Sequence, residues 1–255
     1  MTTNIPRYDF HIHTKYLGCG NATMEVSAIA KECERLGVTK LGITDHLNSL
    51  DKLPLHIPIK QDIERLDTPL DVYFGVELNF LACDGSFPFS ADIKEQYGFQ
   101  FVIGGIHGTY MDYYDLKQIV DIQHRHHLKT CSDPLVDVLV HPYNTLVNEF
   151  NKVDWPPFSM DAVPKQYARE LGQAAHDTGT AIEIHWRCIA QLGEAYTAYL
   201  EILAAEGAFF SLSSDAHDVN KLKNVESTWR VASELGLTPD RIWVPEEQPL
   251  NEVCA

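Results

Sequence analysis

The residues with the most chemistry in this sequence are its histidines, of which there are 12. Seven of them, His11, His13, His46, His107, His141, His185 and His217, stand at or just after the C-terminal end of a segment that reads as a β-strand. One imidazole at a strand end is ordinarily a hydrogen-bonded structural residue. Seven on one rim are hard to accommodate as packing, because imidazole is an awkward core filler and adjacent imidazolium rings repel unless metal ions hold them neutral. The placement therefore predicts a metal centre.

Spacing sharpens the prediction. In Asp9-Phe10-His11-Ile12-His13, strand alternation puts Asp9, His11 and His13 on one face and Phe10 and Ile12 on the other. The two imidazoles then stand roughly 6.6 Å apart at the backbone, within reach of one ion. Asp9, one pleat deeper, is expected to accept a ring N–H and fix its tautomer. Asp215-Ala216-His217 repeats the device. Glu77 is a carboxylate inside an apolar strand, flanked by Val76 and Leu78 on the opposite face, which favours an inward, ion-bridging role over a surface one.

The elements that must position these groups alternate. Strand-like runs cover Tyr8–His13, Leu41–Asp45, Val72–Phe80, Phe101–Ile106, Val136–His141, Ala181–Trp186 and Phe209–Ser213. Helical patterns lie between them at Thr23–Leu36, Tyr114–Leu128, Pro164–Thr178, Gly193–Glu206 and Val219–Leu235. In the first helix Val26, Ile29, Ala30, Cys33 and Leu36 recur at helical spacing, with Thr23 expected as N-cap and Gly37 just past the end. Such alternation implies a mainly parallel α/β sheet, open or closed into a barrel, whose chemistry gathers at the C-terminal strand ends. No linker divides the chain, so one domain is expected over 1–255, with a core at about 7–236 and an extension at 237–255. The segments LDKLPLHIPIK and VDWPPFSM read as loop excursions. QHRHH reads as a solvated helix face, His56 as a loop residue and His176 as a helix residue. Tyr110, Tyr113 and Tyr114, after His107, are weighed equally as a pocket wall or as ordinary packing.

Composition narrows the function classes. With 45% hydrophobic and 22% charged residues, the 255-residue chain can bury a substantial core and is not of the disordered kind. A formal net charge of −16 argues against gripping duplex nucleic acid nonspecifically, yet leaves anionic substrates open where divalent cations invert the local sign. The start has no basic and apolar signal pattern, and no stretch approaches the roughly 20 apolar residues of a membrane span. The six cysteines, none in a CxxC pair, are expected as free thiols in a cytoplasmic protein.

HxH alone says little, but here it opens an ordered series: HxH, Asp45-His46 in ITDH, Glu77, His107 in GGIHG, His141 in VHP, and Asp-x-His. That series, running from residue 9 to 217, resembles the PHP (polymerase and histidinol phosphatase) family of metal-dependent phosphoesterases. The resemblance implies a distorted TIM-like (β/α)7 barrel, matching the seven strand-like runs. It further implies a trinuclear site. His11, His13, Glu77 and Asp215 would hold one metal, and Glu77 would bridge to a second, completed by His107 and His141. His46 and His217 would contribute to a third.

Two positions depart from the family pattern. Many members carry a further third-site His in the loop after HxH; here that loop reads Lys15-Tyr16-Leu17-Gly18-Cys19-Gly20. Cys19 is the candidate replacement ligand, its alternative being a free thiol. His185 stands where members often have Asn; it is expected to join the metals, orient a phosphate, protonate a leaving group or simply hold a ligand. Arg187 and Lys15 are candidate phosphate clamps, Arg187 preferred for its bidentate fork.

A mixed His/carboxylate centre suits Zn²⁺, Mn²⁺ or Fe²⁺ better than Ca²⁺ or Mg²⁺. Adjacent ions bring a shared water towards a pKa of ~7 and so present hydroxide at neutral pH. Asp45, His46 and His185 are the candidates to serve the leaving alkoxide. The leading expectation is hydrolysis of a small phosphate monoester, with L-histidinol phosphate the most specific substrate that the resemblance suggests. A phosphodiesterase or 3′ exonuclease uses the same metals. An amidohydrolase would commonly need a bridging Lys at the fourth strand end, where this chain has Gly104-Gly105-Ile106-His107. A metal-binding regulatory protein is the non-enzyme alternative. The oligomeric state is left open.

Overall fold

Short β-branched and aromatic runs form the strands, and amphipathic runs between them form the covering helices. The computed structural model describes residues 4–80, 86–152 and 155–251. Its strands are β1 (Tyr8–Ile12), β2 (Lys40–Ile43), β3 (His46–Leu47), β4 (Asp71–Asn79), β5 (Phe101–Gly105), β6 (Val138–Leu139), β7 (Ala181–His185) and β8 (Phe210–Ser213). The helices are α1 (Val26–Leu36), α2 (His56–Glu64), α3 (Ala91–Tyr97), α4 (Leu116–Ser132), α5 (Asn144–Lys152), α6 (Lys165–Thr178), α7 (Trp186–Ala205) and α8 (Val225–Glu234).

The strands pair in the order β1-β2-β4-β5-β6-β7-β8, every pair parallel. A bridge between Ile12 and Ala216 brings the last strand end back to the first. The result is a nearly closed, distorted (β/α)7 barrel. Strand β3 also pairs with β4, on the same side as β2 and one step further along. The expected strand Leu41–Asp45 is thus interrupted at Thr44 and Asp45 and resumes at His46, directly opposite Glu77.

Two apolar clusters hold the barrel. The larger lies between strands and helices and includes Ile12, Ile29, Cys33, Val72, Leu139, Ile184 and Leu200. The smaller fills the barrel interior with Phe10, Tyr73, Phe101, Ile103, Val138 and Val140. The Phe101 ring lies so close over Gly42 and Gly75 that a side chain on either would collide with it. Residues 237–251 belong to the barrel. Trp243 packs against Phe10 and Phe101 from below, Trp243 N–H donates to Phe210 O at 2.8 Å and Leu250 N–H to Val72 O at 2.8 Å.

Several local expectations change. Helix α1 begins at Val26 with Glu25 at its N-cap; Thr23 instead bonds Asn21 and the Val219 N–H, whereas Gly37 ends the helix in the left-handed conformation at φ 75°. The LDKLPLHIPIK excursion coils into a 3₁₀ turn and α2, because Pro58 falls in the first turn, where its missing N–H costs nothing. Helices α3 and α5 are additional, α3 being short and capped by Ser90, with Gly98 beyond its end at φ 70°. Trp186 leaves the expected strand and opens α7, which kinks at Gly193.

QHRHH is not a solvated face. His124, His126 and His127 are buried in α4. His124 stacks on Tyr167 at 3.9 Å, His126 packs on Phe80 at 4.8 Å, and His127 meets Tyr143 edge-on at 4.7 Å. His56 is likewise fully buried, its Nε2 lying 3.3 Å from Asp45 O. Cys19, Cys33, Cys131 and Cys188 are free thiols; Cys83 and Cys254 lie outside the described residues. Among the described residues no helix is long and apolar enough to cross a membrane.

Candidate metal centre

The site is assembled by strand ends that bend away from regular geometry. Strand β1 carries an extra residue between Asp9 and Ile12 relative to β2. This bulge lets Phe10 fill the barrel interior while His11 and His13 both face the rim. His141 and Asp215, just past β6 and β8, adopt left-handed backbone at φ 35° and 47°. Such conformations cost about 1–3 kcal/mol at a non-glycine residue and persist only where the surroundings enforce them. Gly105 leaves room for one of them: a Cβ there would sit 2.8 Å from His141 Cε1 and 2.6 Å from Val140 Cγ2.

Four buried side chains converge on one point. His11 Nε2 lies 3.0 Å from His13 Nε2, 3.2 Å from Glu77 Oε2 and 3.6 Å from Asp215 Oδ1. His13 Nε2 lies 3.4 Å from Glu77 Oε2 and 3.3 Å from Asp215 Oδ1. A tetrahedral ion with bonds of ~2.0–2.1 Å separates its ligands by about 3.3–3.4 Å, so this is ligand spacing. The second oxygen of Glu77 serves another set: Oε1 lies 3.1 Å from His107 Nε2 and 3.1 Å from His141 Nε2. His46 Nδ1 lies 2.7 Å from Glu77 Oε2.

Charge makes the same demand. Glu77 and Glu183 are fully buried and Asp215 nearly so. Burial pushes the Glu77 carboxyl up, but the imidazoles of His46, His11 and His107 outweigh it and hold its pKa well below the usual range. Burial likewise opposes ionisation of Asp215, and His11, His13 and His185 overcome it. His11 shows the converse, with the carboxylates of Glu77, Glu183 and Asp215 raising its pKa well above the ordinary value against the effect of burial. Three buried carboxylates facing imidazole nitrogens need cations between them. With the His11 Nδ1 proton directed to Glu183, its Nε2 faces Glu77 Oε2 and Asp215 Oδ1, where a bound cation would take the place of a second ring proton. The donor set fits one or two transition-metal ions.

Glu183 is the residue that sequence reading undervalued. Its Oε1 lies 2.8 Å from His11 Nδ1 and also accepts from Ser213 Oγ, while its Oε2 accepts the His141 N–H at 2.5 Å. Alternation along β7 puts it on the same face as His185, but nothing in the sequence names its partner. Conversely, Asp9 does not hold an imidazole ring. The β1 bulge breaks the alternation that put it there, and Asp9 Oδ1 instead accepts the backbone N–H of Ser214 at 2.9 Å and of His11 at 3.5 Å. Burial raises its pKa to about 7.

The remaining candidates separate by what they touch. Both Asp45 oxygens are bound to Thr14, one by its N–H and one by its hydroxyl, and burial lifts the carboxyl to about 6 against those bonds. His185 is fully buried with Nε2 3.2 Å from Asp215 Oδ2. Neither lines the cavity of about 270 Å³ that opens over the centre. His46, His107, His141, Asp215, His217 and Arg187 do line it. So do Asn144 and Asn148, one turn apart on α5, which sequence reading missed because the Asn-rich run did not read as helix.

Lys15 turns away: its Nζ pairs with Glu25 Oε1 at 2.7 Å, and it lines a different surface hollow. Tyr110 reaches back to Phe80 O at 3.1 Å, and neither it nor Tyr113 or Tyr114 lines the cavity. Cys19 is half-buried, its Sγ 3.8 Å from His13 Nδ1; burial, then Asp45 nearby, push the thiol up to about 12.

Comparison with known proteins bears on this arrangement. The histidinol phosphate phosphatase of Lactococcus lactis subsp. lactis, solved with zinc, L-histidinol and phosphate, superposes with a TM-score of 0.66 at 14% identity, covering 92% of this chain and 95% of that one. A Listeria monocytogenes protein assigned as a histidinol phosphatase gives 0.65 at 14% identity, covering 87% and 99%. At these identities the likeness is one of fold. No curated protein matches the chain. The PHP domain, however, matches residues 9–187, well over half the sequence and most of the residues gathered at the rim, so the chain belongs to the PHP domain family.

Proposed function

We propose that the protein is a metal-dependent phosphomonoesterase acting on a small substrate. The observation that carries this is Glu77, whose two oxygens divide between two imidazole sets within 3.4 Å beneath one open cavity. In this reading His11, His13, Glu77 and Asp215 hold one ion, and Glu77, His107 and His141 hold the second. When bound, Zn²⁺, Mn²⁺ or Fe²⁺ ions there would lower the pKa of a water and neutralise charge on phosphoryl oxygens.

The protein side chains do the rest. Arg187, on the cavity wall in the first turn of α7, offers its guanidinium fork to the ester's oxygens. Asn144 and Asn148 present amides to whatever the phosphate carries. His185 acts through Asp215 and Asp45 through Thr14, so both position other groups. The leaving oxygen would then lie against the wall formed by His46 and His217. A cavity of about 270 Å³ lies just below the usual small-molecule range of ~300–1,000 Å³, which favours a compact monoester over a polymer.

The printed ligands of the Lactococcus lactis protein make L-histidinol phosphate the first substrate to try. Phosphate release by Mn²⁺- or Zn²⁺-loaded protein from that compound, within a panel of monoesters and one diester, tests the proposal, with His141→Ala as blank. Release from monoesters that is lost in the variant is expected. Release from the diester alone would overturn the monoester reading, and no release from any member would overturn phosphoesterase chemistry.

A further inference from the structure

We propose that Cys19 is a thiolate ligand for a further metal ion, shared with His46 and His217, and that this position selects soft cations over Mn²⁺ and Mg²⁺. The inference rests on the two-ion reading above and adds a position beside it. Cys19, His13, His46 and His217 each offer a ligand atom, and all of these atoms lie within 4.8 Å of one another. Zinc–sulfur bonds of ~2.3 Å and zinc–nitrogen bonds of ~2.0–2.1 Å put tetrahedral sulfur and nitrogen ligands about 3.6 Å apart. The ligand atoms of Cys19, His46 and His217 lie within 4.8 Å of one another, so small side-chain rotations bring them to that spacing.

The loop carrying Cys19 is built to keep the sulfur at this spot. Gly18 turns it through left-handed backbone at φ 82°. Gly20 lies against the Thr14 carbonyl where any side chain would overlap it. The Asn21 N–H donates to His217 O at 2.9 Å, tying the loop to the rim residue that would share the ion. Lys15 N–H donates to Met24 O at 3.0 Å, closing the loop's base. The contrast with the other described cysteines is sharp: Cys33, Cys131 and Cys188 are buried members of the apolar core, whereas Cys19 faces imidazoles.

Sulfur sets the metal preference. Thiolate with imidazole suits Zn²⁺, Fe²⁺ or Co²⁺, while Mn²⁺ and Mg²⁺ prefer oxygen. A coordinating thiol is deprotonated by the ion itself. The competing role for Cys19 is a sulfur contact that orients His13 without binding metal.

Cobalt distinguishes the two. Full-length protein reconstituted with Co²⁺ and freed of excess is expected to show a thiolate-to-cobalt charge-transfer band in the near ultraviolet and to retain one more equivalent of cobalt than Cys19→Ala, which should lack the band entirely. Cys19→His should regain that equivalent without the band. Mn²⁺ should give the wild type no extra equivalent over Cys19→Ala. A cobalt-loaded wild type without the band, or a Cys19→Ala protein with equal stoichiometry, would overturn the inference. A band in a protein that hydrolyses no phosphate ester would leave Cys19 a ligand and remove the proposed function instead.

Discussion

Replacing Glu183 by Gln tests whether the carboxylate beneath the metal centre orients it. The substitution preserves shape but removes charge. Glu183 now serves three donors: His11 Nδ1–H at 2.8 Å, the His141 N–H at 2.5 Å, and the Ser213 hydroxyl. An amide has one acceptor oxygen and an NH₂ group, so in this fully buried site either a donor faces that NH₂, or the Ser213 hydroxyl and the His11 ring must reverse their roles. Leaving a buried donor unpaired costs about 1–3 kcal/mol of metal-free stability. The larger effect is on metal. Without a carboxylate on Nδ1, His11 loses its tautomer and basicity at Nε2, a change typically worth 10–100-fold in metal affinity. At about 1.4 kcal/mol per decade this is ~1.4–2.8 kcal/mol. Competition of Zn²⁺ against a chelating dye would measure it, with urea unfolding of the metal-free protein alongside. Phosphatase activity should return in part when zinc saturates the variant. Unchanged zinc affinity, with stability lowered as expected, would refute the view that Glu183 acts through the His11 ring.

Three further outcomes are expected. Gly105→Ala places a Cβ 2.8 Å from His141 Cε1, so zinc binding and activity should fall at least tenfold while much of the stability survives; an undisturbed activity would show that His141 has room to move. His127 is 1% exposed, and burial first, then neighbouring imidazoles, hold its pKa well below the ordinary value. It therefore stays neutral in the fold while the unfolded chain takes up a proton below about pH 6.5. The stability it permits is complete above that pH and lost as pH falls, by about 1.4 kcal/mol at one unit below. Comparing urea midpoints of metal-free wild type and His127→Leu at the two pH values should show the acid slope reduced by that amount, and parallel slopes would exclude it. Finally, Arg187→Ala should raise KM for a phosphate ester about tenfold or more, whereas Lys15→Ala, which breaks only a surface pair with Glu25, should leave KM unchanged; the reverse order would misplace the phosphate.

Much of the frame could be read from the residues because period and punctuation agree there. In α1 the buried set Val26, Ile29, Ala30, Cys33 and Leu36 is the expected face, and Gly37 ends it as expected. The histidines at the strand ends do meet, since parallel strands deliver their ends to one rim. What could not be read depends on register and on partners far apart in sequence. The β1 bulge is one residue long, yet it separates Asp9 from the imidazoles it would otherwise accompany. The break at Thr44 and Asp45 sets His46 against Glu77, and nothing local marks it. Glu183 gains its meaning from His11, 172 positions away. Pro58, in the first turn of α2, lies in a segment that reads as a loop, and the α4 histidines read as solvated although Tyr167, Phe80 and Tyr143 cover them.

The floor of the barrel has a consequence for how the chain is made. Phe10 leaves the ribosome long before Trp243, which closes over it. Leu250 must then return to Val72 beside the second strand. Until that stretch is free, the aromatic plug stays open to water at its lower end. Vectorial synthesis therefore leaves a long window in which the barrel strands have been made but their base is still apolar and unsealed. It is in that window that a holding chaperone would matter most to its yield.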